Sequence, residues 1–327
     1  MKTRLLGEKG FEVGEIGLGC WQLGADWGPS VEEGTAFAIL SAAVENGITF
    51  FDTANVYGSG RSETLIGKFI QEYGKPVVVA TKFGRGEDVY PDHYSEDALR
   101  RSVNASLKRL GVDALDLLQL HCIPTDALRE GEVFDWLRRL KQEGVIRHFG
   151  ASVETVEEGL LCLEQEGLLS LQVIFNVFRQ KLVRRLLPQA KAQGVGIIVR
   201  LPLASGLLTG KFARDTKFPE TDHRLFNRDG QHFNVGETFA GLPFEKGVEL
   251  VDMLKEILPD GISMVQMALR WILDHDAVSV IIPGASSPEQ AKANTEVSDL
   301  KPLSRDLSQA LAEFYTKSVH RHIRGSY

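Results

Sequence analysis

Short apolar runs alternate with amphipathic stretches along most of the chain. The runs are nearly continuously apolar, which is typical of parallel strands covered on both faces. The stretches between them carry apolar residues at helical spacing, and one has Ser95 as a suitable N-cap and Gly111 as a suitable stop. The pattern predicts eight strands, at residues 15–20, 48–54, 76–83, 115–121, 146–152, 171–176, 196–202 and 278–284.

Eight strand–helix units in succession predict an α/β fold, a (β/α)8 TIM barrel, as one domain spanning residues 1–327. The alternative is an open doubly wound sheet, which usually has roughly five or six strands. Residues 203–243, here called the long loop, follow strand seven and have no sustained period. Their phenylalanines and basic residues favour a lid over an anionic ligand, and a surface excursion with a few buried anchors is the other interpretation. Residues 303–318 predict a C-terminal helical tail.

Composition narrows the classes of function. The chain has 327 residues, 43% hydrophobic and 25% charged, as in ordinary globular proteins. Its net charge of −7 argues against nucleic acid as a partner, because that calls for a basic face. Three scattered cysteines predict neither a disulfide framework nor a zinc site, and the amino terminus lacks the apolar core of a signal peptide. No apolar run is long enough for a membrane span, so we expect a cytoplasmic protein.

Polar residues close the predicted strands at the end where this fold collects its chemistry. They are Asp52, Lys82, His121, Ser152, Gln172 with Asn176, and Arg200, on strands two to seven. Each alone has an ordinary explanation, since a lone lysine is commonly a loop charge and an aspartate commonly a turn former. Because together they would surround one mouth of the barrel, we interpret them as a site.

Asp52, Lys82, His121 and the nearby Tyr57, in the stretch FFDTANVYGSGRSE, suit proton delivery to an oxygen atom. An unperturbed tyrosine, with a pKa of about 10, is a weak acid near neutrality. A nearby ammonium is expected to lower that pKa, and a carboxylate would keep the buried lysine charged. The histidine would orient the substrate oxygen. No GxSxG or HExxH motif is present, and GSGRSE and LLTGKF match dinucleotide and phosphate loops only in part.

Several segments, in order, resemble blocks of the aldo-keto reductase superfamily and cover nearly the whole chain. They are GFEVGEIGLGCWQLG, ITFFDTANVYGSGRSETLIG, VVVATKFG, LDLLQLH, QEGVIRHFGAS, PLASGLLTGKF and IIPGASSPEQAKAN. The resemblance implies a barrel that binds a nicotinamide dinucleotide at the strand mouth without a Rossmann fold. It also implies that Tyr57 is the proton donor, that Lys82, held by Asp52, tunes its acidity, and that His121 orients the carbonyl.

The resemblance further implies a set of cofactor contacts. Ser152, Gln172 and Asn176 would hold the nicotinamide amide, Pro202, Leu203, Gly206 and Lys211 the pyrophosphate, and Gly284, Ser286, Gln290 and Asn294 the adenine and its ribose phosphate. Gly19, Cys20 and Trp21 would lie beside the cofactor and the substrate pocket.

Three departures from the family pattern bear on these expectations. Arg200 stands where the family often stacks an aromatic ring; its guanidinium can also stack, and it could attract anionic substrates. Gln290 stands where much of the family has a basic residue for the 2′-phosphate, so loop arginines would have to replace it: Arg214, Arg224 or Arg228. We expect NADPH as cofactor, with NADH possible. Phe175 replaces a common tyrosine, which we expect to be a packing change.

The leading hypothesis is therefore an NADPH-dependent reductase of small carbonyl compounds. The alternatives are a nicotinamide-binding regulatory module that senses redox state, and a metal-dependent barrel hydrolase or isomerase. The candidate walls of the substrate pocket are Trp21, Trp27, Tyr90, His93 and Phe226. Aromatic walls would favour broad specificity, and a monomer is the default expectation.

Overall fold

The structure, a computed structural model, describes residues 1–24, 31–74 and 76–327. Its strands are β1 (Thr3–Leu6), β2 (Phe11–Gly14), β3 (Leu18–Gly19), β4 (Phe50–Asp52), β5 (Val78–Phe83), β6 (Leu115–His121), β7 (Ile146–Ser152), β8 (Leu168–Ile174), β9 (Gly196–Arg200) and β10 (Val278–Ile281). Its α-helices are α1 (Trp21–Gly24), α2 (Glu33–Glu45), α3 (Arg61–Tyr73), α4 (Glu96–Leu110), α5 (Thr125–Glu130), α6 (Glu132–Gln142), α7 (Val156–Leu163), α8 (Leu186–Ala192), α9 (His223–Phe226), α10 (Phe244–Lys255), α11 (Met264–Leu273), α12 (Pro288–Thr295) and α13 (Arg305–Phe314).

Strands β3 to β10 form a parallel barrel, which confirms the predicted fold class. Each strand pairs with the next along the chain. Parallel bridges from Ile16 to Ile281 and from Gly19 to Gly284 connect the first and last strands. Every predicted strand contains or overlaps an observed one, although β8 begins at Leu168 rather than at residue 171.

The barrel strands are apolar on both faces because each face packs into a different core. Phe50, Ala80, Leu117 and Val280 form a cluster inside the cylinder. Their neighbours along the strands, such as Phe51, belong to the larger cluster shared with the surrounding helices. Burial on both faces explains why the strands read as continuous apolar runs.

An antiparallel hairpin, β1–β2, precedes the barrel and was not predicted from the hydrophobic pattern. Leu6 and Val13 are fully buried and join the cluster inside the cylinder. The hairpin therefore covers the amino-terminal end of the barrel and leaves the carboxyl end as the open mouth. Each of its strands has only four residues and mixes charged with apolar side chains, which hid the signal.

Helix ends follow the predicted capping residues in α4. The Ser95 hydroxyl accepts a hydrogen bond from the Ala98 N–H at 3.2 Å, and Gly111 ends the helix with a φ of 67°. The predicted tail is also helical, with α13 running directly into a π-helical turn at Tyr315–Val319. Within the described ranges, no helix combines the length and the apolar character needed to cross a membrane.

The long loop is irregular, as predicted, but it is organised around a cluster of aromatic rings. The Phe218 ring lies 5.3, 5.8 and 5.4 Å, between centroids, from the rings of Phe212, Phe239 and Phe244. The Arg224 guanidinium lies 4.6 Å from the Phe218 ring centroid. These contacts anchor the long loop beside the barrel, where part of it forms the wall of a cavity.

Candidate active site

A cavity of about 1390 Å³ opens at the carboxyl ends of the barrel strands. The described residues that line it come from the ends of β3, β4, β6, β8 and β9, from the segment after β10, and from the long loop. Four of the predicted polar residues therefore converge on one mouth, where this fold places its functional groups: Asp52, His121, Gln172 and Arg200.

Lys82 and Asp52 form a buried ion pair at the base of this cavity. The Lys82 Nζ donates to Asp52 Oδ2 at 2.6 Å and to the Thr53 carbonyl at 2.7 Å, and the lysine is only 1% exposed. Burial alone would lower the pKa of Lys82, but the charge of Asp52, with a smaller contribution from Tyr57, raises it above its ordinary value. Lys82 is thus held as a cation, as the sequence predicted.

Tyr57 lies beside this cation, in a tight turn between β4 and α3. Its hydroxyl accepts a hydrogen bond from the Lys82 Nζ at 3.3 Å. Gly58 and Gly60 in the turn adopt φ angles of 61° and 92°, which glycine reaches without strain. A Cβ on Gly58 would lie 2.1 Å from the Gly24 carbonyl oxygen, so the turn that presents Tyr57 requires glycine there.

The pKa of Tyr57 is raised above its ordinary value, whereas the sequence suggested a lowering. Burial of the phenol is the largest effect; Lys82 acts in the opposite direction, and the charges of Asp52 and Glu237 add to the rise. The expected net lowering is therefore wrong. What Lys82 does is offset part of the cost of forming a buried phenolate.

His121 ends β6 and faces Tyr57, with ring centroids 5.9 Å apart and an interplanar angle of 82°. Burial, followed by the positive charges of Arg85, Lys82 and Arg200, lowers the pKa of His121 well below its ordinary value. The imidazole is therefore neutral near pH 7. A neutral imidazole has one N–H that can donate to a substrate oxygen.

The second oxygen of Asp52 is held by two glutamine amides. Gln119 Nε2 donates to Asp52 Oδ1 at 3.1 Å and Gln172 Nε2 donates to the same atom at 2.6 Å. The Ser152 hydroxyl donates to Gln172 Oε1 at 3.5 Å. The network fixes the orientation of the carboxylate toward Lys82. Gln172 therefore binds Asp52 as well as lining the cavity. Gln119 also belongs to this network, although the sequence analysis did not predict it.

Most of the predicted cofactor residues lie on one continuous wall. They are Gly19, Cys20, Trp21, Gln172, Arg200, Pro202, Leu203, Gly206, Gly284, Ser286 and Gln290. The cavity exceeds the roughly 300–1,000 Å³ of sites for drug-sized ligands, so it has room for a dinucleotide with a substrate. Buried polar atoms without hydrogen-bond partners occur on this wall, among them Arg200 Nε and His121 Nδ1, as expected where a polar ligand binds. The residues thus fit a nicotinamide dinucleotide.

Four predicted cofactor residues do not lie on the wall that the described residues form: Ser152, Asn176, Lys211 and Asn294. Two of them instead support backbone beside the wall. Asn176 Nδ2 donates to the Leu201 carbonyl at 3.0 Å, and Asn294 Nδ2 donates to the Gly284 carbonyl at 3.4 Å. Their side chains therefore position residues that line the cavity.

The proposed substitutes for a basic 2′-phosphate contact have other partners. Arg224 lies on the wall, but its guanidinium is paired with Asp222 at 2.6 Å. Arg228 Nε donates to the Arg224 carbonyl at 3.3 Å. At Gln290, the side-chain oxygen accepts hydrogen bonds from Ser286 N–H at 2.9 Å and Oγ at 3.0 Å. The part of the wall formed by Ser286 and Gln290 is therefore neutral and polar.

A group of charged residues that was largely unpredicted lies on the same wall; we call Arg85, Glu154, Arg200 and Glu237 the Arg–Glu cluster. Arg85 Nη2 lies 2.7 Å from Glu154 Oε1 and 3.0 Å from Glu237 Oε1. Arg200 Nη1 lies 3.5 Å from Glu237 Oε1. Glu237 belongs to the long loop, whereas Arg200 ends β9 and Arg85 and Glu154 follow β5 and β7, so the cluster joins the loop to the barrel.

Burial, with the charge of Glu237, raises the pKa of Glu154 to about 7, although Arg85 and Arg200 act against the rise. The sequence held only a weak signal for this cluster. Arg85 and Glu154 follow closely on the polar strand ends at Lys82 and Ser152, but no pattern marks a single glutamate in the long loop.

The predicted aromatic wall is realised only in part. Trp21 and Tyr90 line the cavity, whereas Phe226 lines a neighbouring cavity. The His93 side chain is exposed to solvent and lines neither of these two cavities. Trp27 lies outside the described residues. Phe175 is fully buried against Trp271 and His275, which agrees with the expected packing change.

One set of possible metal ligands occurs among the described residues: Cys122, Glu154 and Glu237. Both carboxylates already contact Arg85, and the Cys122 Sγ accepts a hydrogen bond from Arg200 Nη2 at 3.3 Å. The two guanidinium groups thus supply the positive charge that a metal ion would bring.

A sequence model described as the Aldo/keto reductase family matches residues 15–316. The chain is 31% identical to aldo-keto reductase YhdN of Bacillus subtilis (strain 168), over 91% of this chain and 88% of that protein. It is 29% identical to aldo-keto reductase yakc, NADP(+), of Schizosaccharomyces pombe, over 89% of this chain and 85% of that protein. Among solved structures, it is similar to the holo form of aldo-keto reductase AKR11C1 from Bacillus halodurans, with a TM-score of 0.78, 28% identity and coverage of 99% and 100%.

Proposed function

The chain belongs to the aldo/keto reductase family, and we propose that it reduces aldehydes or ketones to alcohols with NADPH, with Tyr57 as the general acid. Membership makes the protein a nicotinamide-dependent oxidoreductase that acts on small carbonyl compounds. The identity of the acid and the preference for NADPH are the parts that we propose.

The observation that carries the proposal is the contact between Tyr57 and Lys82. The phenol oxygen lies 3.3 Å from the ammonium, and the neutral ring of His121 faces the phenol. A substrate oxygen bound between Tyr57 and His121 would meet two donors. This is the arrangement needed to stabilise negative charge that develops on that oxygen.

When bound, NADPH would supply a hydride to the carbonyl carbon. The Tyr57 O–H donates its proton to the carbonyl oxygen as that oxygen becomes negative, and Lys82 stabilises the phenolate that remains. Asp52 keeps Lys82 charged and in position, and His121 donates a hydrogen bond that orients the carbonyl. General acid catalysis of this kind contributes about 10²- to 10⁴-fold in rate.

The cofactor would extend from Gln172 and Arg200 along the long loop to the start of α12, whose bounds include Gln290. Support for NADPH comes from the S. pombe relative, whose name includes NADP(+). Ser286 and Gln290 would meet the 2′-phosphate with neutral donors, which predicts a modest discrimination against NADH.

The test of the proposal is turnover of a panel of aldehydes and ketones, followed through the absorbance of reduced nicotinamide, with calorimetric titration of NADPH and NADH. We expect reduction of several carbonyls and tighter binding of NADPH. A preference for NADH of tenfold or more, about 1.4 kcal/mol, would contradict the cofactor assignment. No turnover with any carbonyl, together with a captured protein partner, would favour the regulatory module.

A further inference from the structure

Residues 229–241 of the long loop, here called the clasped loop, are organised around one buried asparagine. Asn227 is fully buried, and its Oδ1 accepts hydrogen bonds from the His232 and Phe233 N–H groups at 2.9 and 3.0 Å. Its Nδ2 donates to Thr238 Oγ1 at 3.0 Å. These bonds make the clasped loop a compact unit, of the kind called an Ω-loop when its two ends lie close together.

The inner side of the clasped loop forms part of the cavity wall. Residues 229–235 and Glu237 line the cavity. Asn234 Nδ2 donates to Glu154 Oε2 at 2.6 Å, and Glu237 Oε1 lies 3.0 Å from Arg85 Nη2. A ligand in the cavity therefore has the clasped loop as one of its sides, and that side is attached to the barrel through the Arg–Glu cluster.

Arg324 binds both ends of the clasped loop and is not among the described residues that line the cavity. At the first end, its guanidinium forms an ion pair with Asp229, and its Nη2 donates to the Arg228 carbonyl at 3.0 Å. At the other end, its Nε and its backbone N–H both donate to the Gly241 carbonyl at 3.0 Å, and Nη2 donates to the Leu242 carbonyl at 3.2 Å. One residue thus joins the two ends of the loop.

The chain that follows Arg324 is anchored to the body of the protein. The Tyr327 ring lies over the Arg179 guanidinium, 4.8 Å from ring centroid to guanidinium carbon, and its hydroxyl forms a hydrogen bond with the Tyr315 hydroxyl at 2.9 Å. Arg179 is only 1% exposed and donates to the Glu154 carbonyl at 3.0 Å. Because Arg324 is fixed in this way, its bonds restrain the clasped loop instead of moving with it.

The end of the clasped loop that Arg324 binds is bent in an unfavourable way. Phe239, Ala240 and Gly241 have φ angles of 53°, 58° and 85°, which makes three left-handed residues in succession. Residues with a Cβ rarely adopt this conformation, so the bend depends on support from its surroundings. A Cβ on Gly241 would lie 3.0 Å from the Arg324 carbonyl oxygen, so Arg324 packs directly against the bend.

We propose that Arg324 is a positioning residue, which holds the clasped loop against the cavity and thereby sets the rate at which the cofactor leaves. Arg324 lies beyond residues 15–316, which the family model matches, so membership of the family assigns it no role. The inference rests on the proposed binding of NADPH in this cavity. It concerns how long the cofactor stays there, and not which reaction follows.

The expected size of the effect follows from the bonds that hold the clasped loop. Arg324→Met keeps a long side chain and removes every side-chain donor. Loss of a single charge-assisted hydrogen bond is enough to shift an equilibrium between a closed and an open position by about tenfold, or about 1.4 kcal/mol. If the cofactor leaves only from the open position, its dissociation rate rises by the same factor.

The experiment measures the dissociation of NADPH by stopped-flow fluorescence, with excess NADP+ as the displacing ligand, and the rate of carbonyl reduction in a single turnover. We expect about tenfold faster dissociation from Arg324→Met. The single-turnover rate should stay within about threefold of wild type, since Arg324 bonds to the long loop and not to the proton-delivery residues. Arg324→Lys, which keeps a charge beside Asp229, should retain part of the hold, and Asp229→Asn should give a smaller increase than Arg324→Met.

A second readout needs no cofactor. Chymotrypsin cleavage of the ligand-free protein after Phe233 should be about tenfold faster in Arg324→Met, because cleavage follows the population of the open position. The matched control is Arg321→Met, which removes the same charge three residues earlier. Arg321 is exposed, and its Nε donates to His322 Nε2 at 3.2 Å, so this variant should change neither rate.

The outcomes separate the inference from the proposed function. If folded Arg324→Met releases NADPH and is cleaved at wild-type rates, or if Arg321→Met behaves in the same way as Arg324→Met, the inference is overturned and the reductase function stands. A single-turnover rate that falls as much as dissociation rises would also overturn it, because the role of Arg324 would then be generally structural.

If Arg324→Met does not fold, the same two rates in Arg324→Lys and Asp229→Asn decide the matter, and wild-type rates in both would overturn the inference. Faster release of NADPH from a protein that reduces no carbonyl would support the inference and overturn the reductase function. A wild-type protein that binds no NADPH would overturn both.

Discussion

Replacing Lys82 by methionine should remove most of the turnover, because it removes the cation beside Tyr57 and keeps a side chain of similar length. The Lys82 Nζ lies 3.3 Å from the Tyr57 oxygen. At an effective dielectric constant of about 20, a charge pair at that distance interacts by about 5 kcal/mol. Loss of this charge would raise the pKa of Tyr57 further, because Lys82 is what opposes the effect of burial. If roughly half of this interaction, about 2.5 kcal/mol, is felt in the transition state, kcat falls by about 70-fold.

Lys82→Met should also destabilise the fold, so the loss of stability has to be separated from the loss of turnover. Without Lys82, the buried carboxylate of Asp52 keeps only the amides of Gln119 and Gln172, and an uncompensated buried charge costs about 3–5 kcal/mol. The double variant Asp52→Asn/Lys82→Met removes the unpaired charge, so it should regain part of the free energy of unfolding but none of the turnover.

The assay is steady-state reduction of a good aldehyde at saturating NADPH, together with urea unfolding of each variant. Enzyme that is folded and saturated with NADPH should show the loss in kcat. A kcat within about threefold of wild type in folded Lys82→Met would refute the reasoning, because the ammonium would then not influence the acid.

The remaining predictions concern the Arg–Glu cluster, the Tyr57 turn and the long loop. Because the folded-state pKa of Glu154, about 7, lies above its ordinary value of 4.5, the unfolded chain loses this proton first, and stability falls as the pH rises from about 4.5 to about 7. This loss in the free energy of unfolding amounts to up to about 3 kcal/mol and should be absent in Glu154→Gln. Urea unfolding of both proteins at pH 5 and pH 8 measures it. An equal pH dependence in the two proteins would contradict the raised pKa. Gly58→Ala should lower kcat by about tenfold or more, because a Cβ there meets the Gly24 carbonyl at 2.1 Å and displaces Tyr57; unchanged kcat would show that the turn tolerates other residues. Phe218→Ala should cost about 3–5 kcal/mol locally and make the long loop a preferred site of limited proteolysis, and wild-type resistance to protease would show that the aromatic cluster does not hold the loop.

The barrel was predictable because its strands carry their signal in consecutive residues. β6 and β7 match the predicted runs to the residue, since most residues on both faces of each strand are buried; the less buried exceptions are Asp116 in β6 and Arg147 and His148 in β7. The hydrophobic pattern did not predict the hairpin, because its few buried residues, such as Leu6 and Val13, are interleaved with charged ones. Its partner surface is the inside of the barrel, which a local pattern does not contain.

The catalytic candidates were predictable for a related reason. In a parallel barrel, the polar residue that closes each strand must face the same mouth, so Asp52, Lys82 and His121 were brought together by topology alone. The raised pKa of Tyr57 was not accessible in this way, because it depends on the burial of the phenol and on the charge of Glu237, which belongs to the long loop. Glu237 itself sits in a segment with no periodic pattern, so only the packed loop reveals its contact with Arg85.

The proposed reaction depends on a phenol that gives up its proton next to a fixed ammonium ion. The most direct test is the rate of carbonyl reduction in a single turnover of NADPH-saturated Tyr57→Phe, alongside calorimetric measurement of its affinity for NADPH. We predict a rate about 10²- to 10⁴-fold below wild type with the affinity for NADPH largely retained. A reduction rate close to wild type in this variant would contradict the assignment of Tyr57 as the acid.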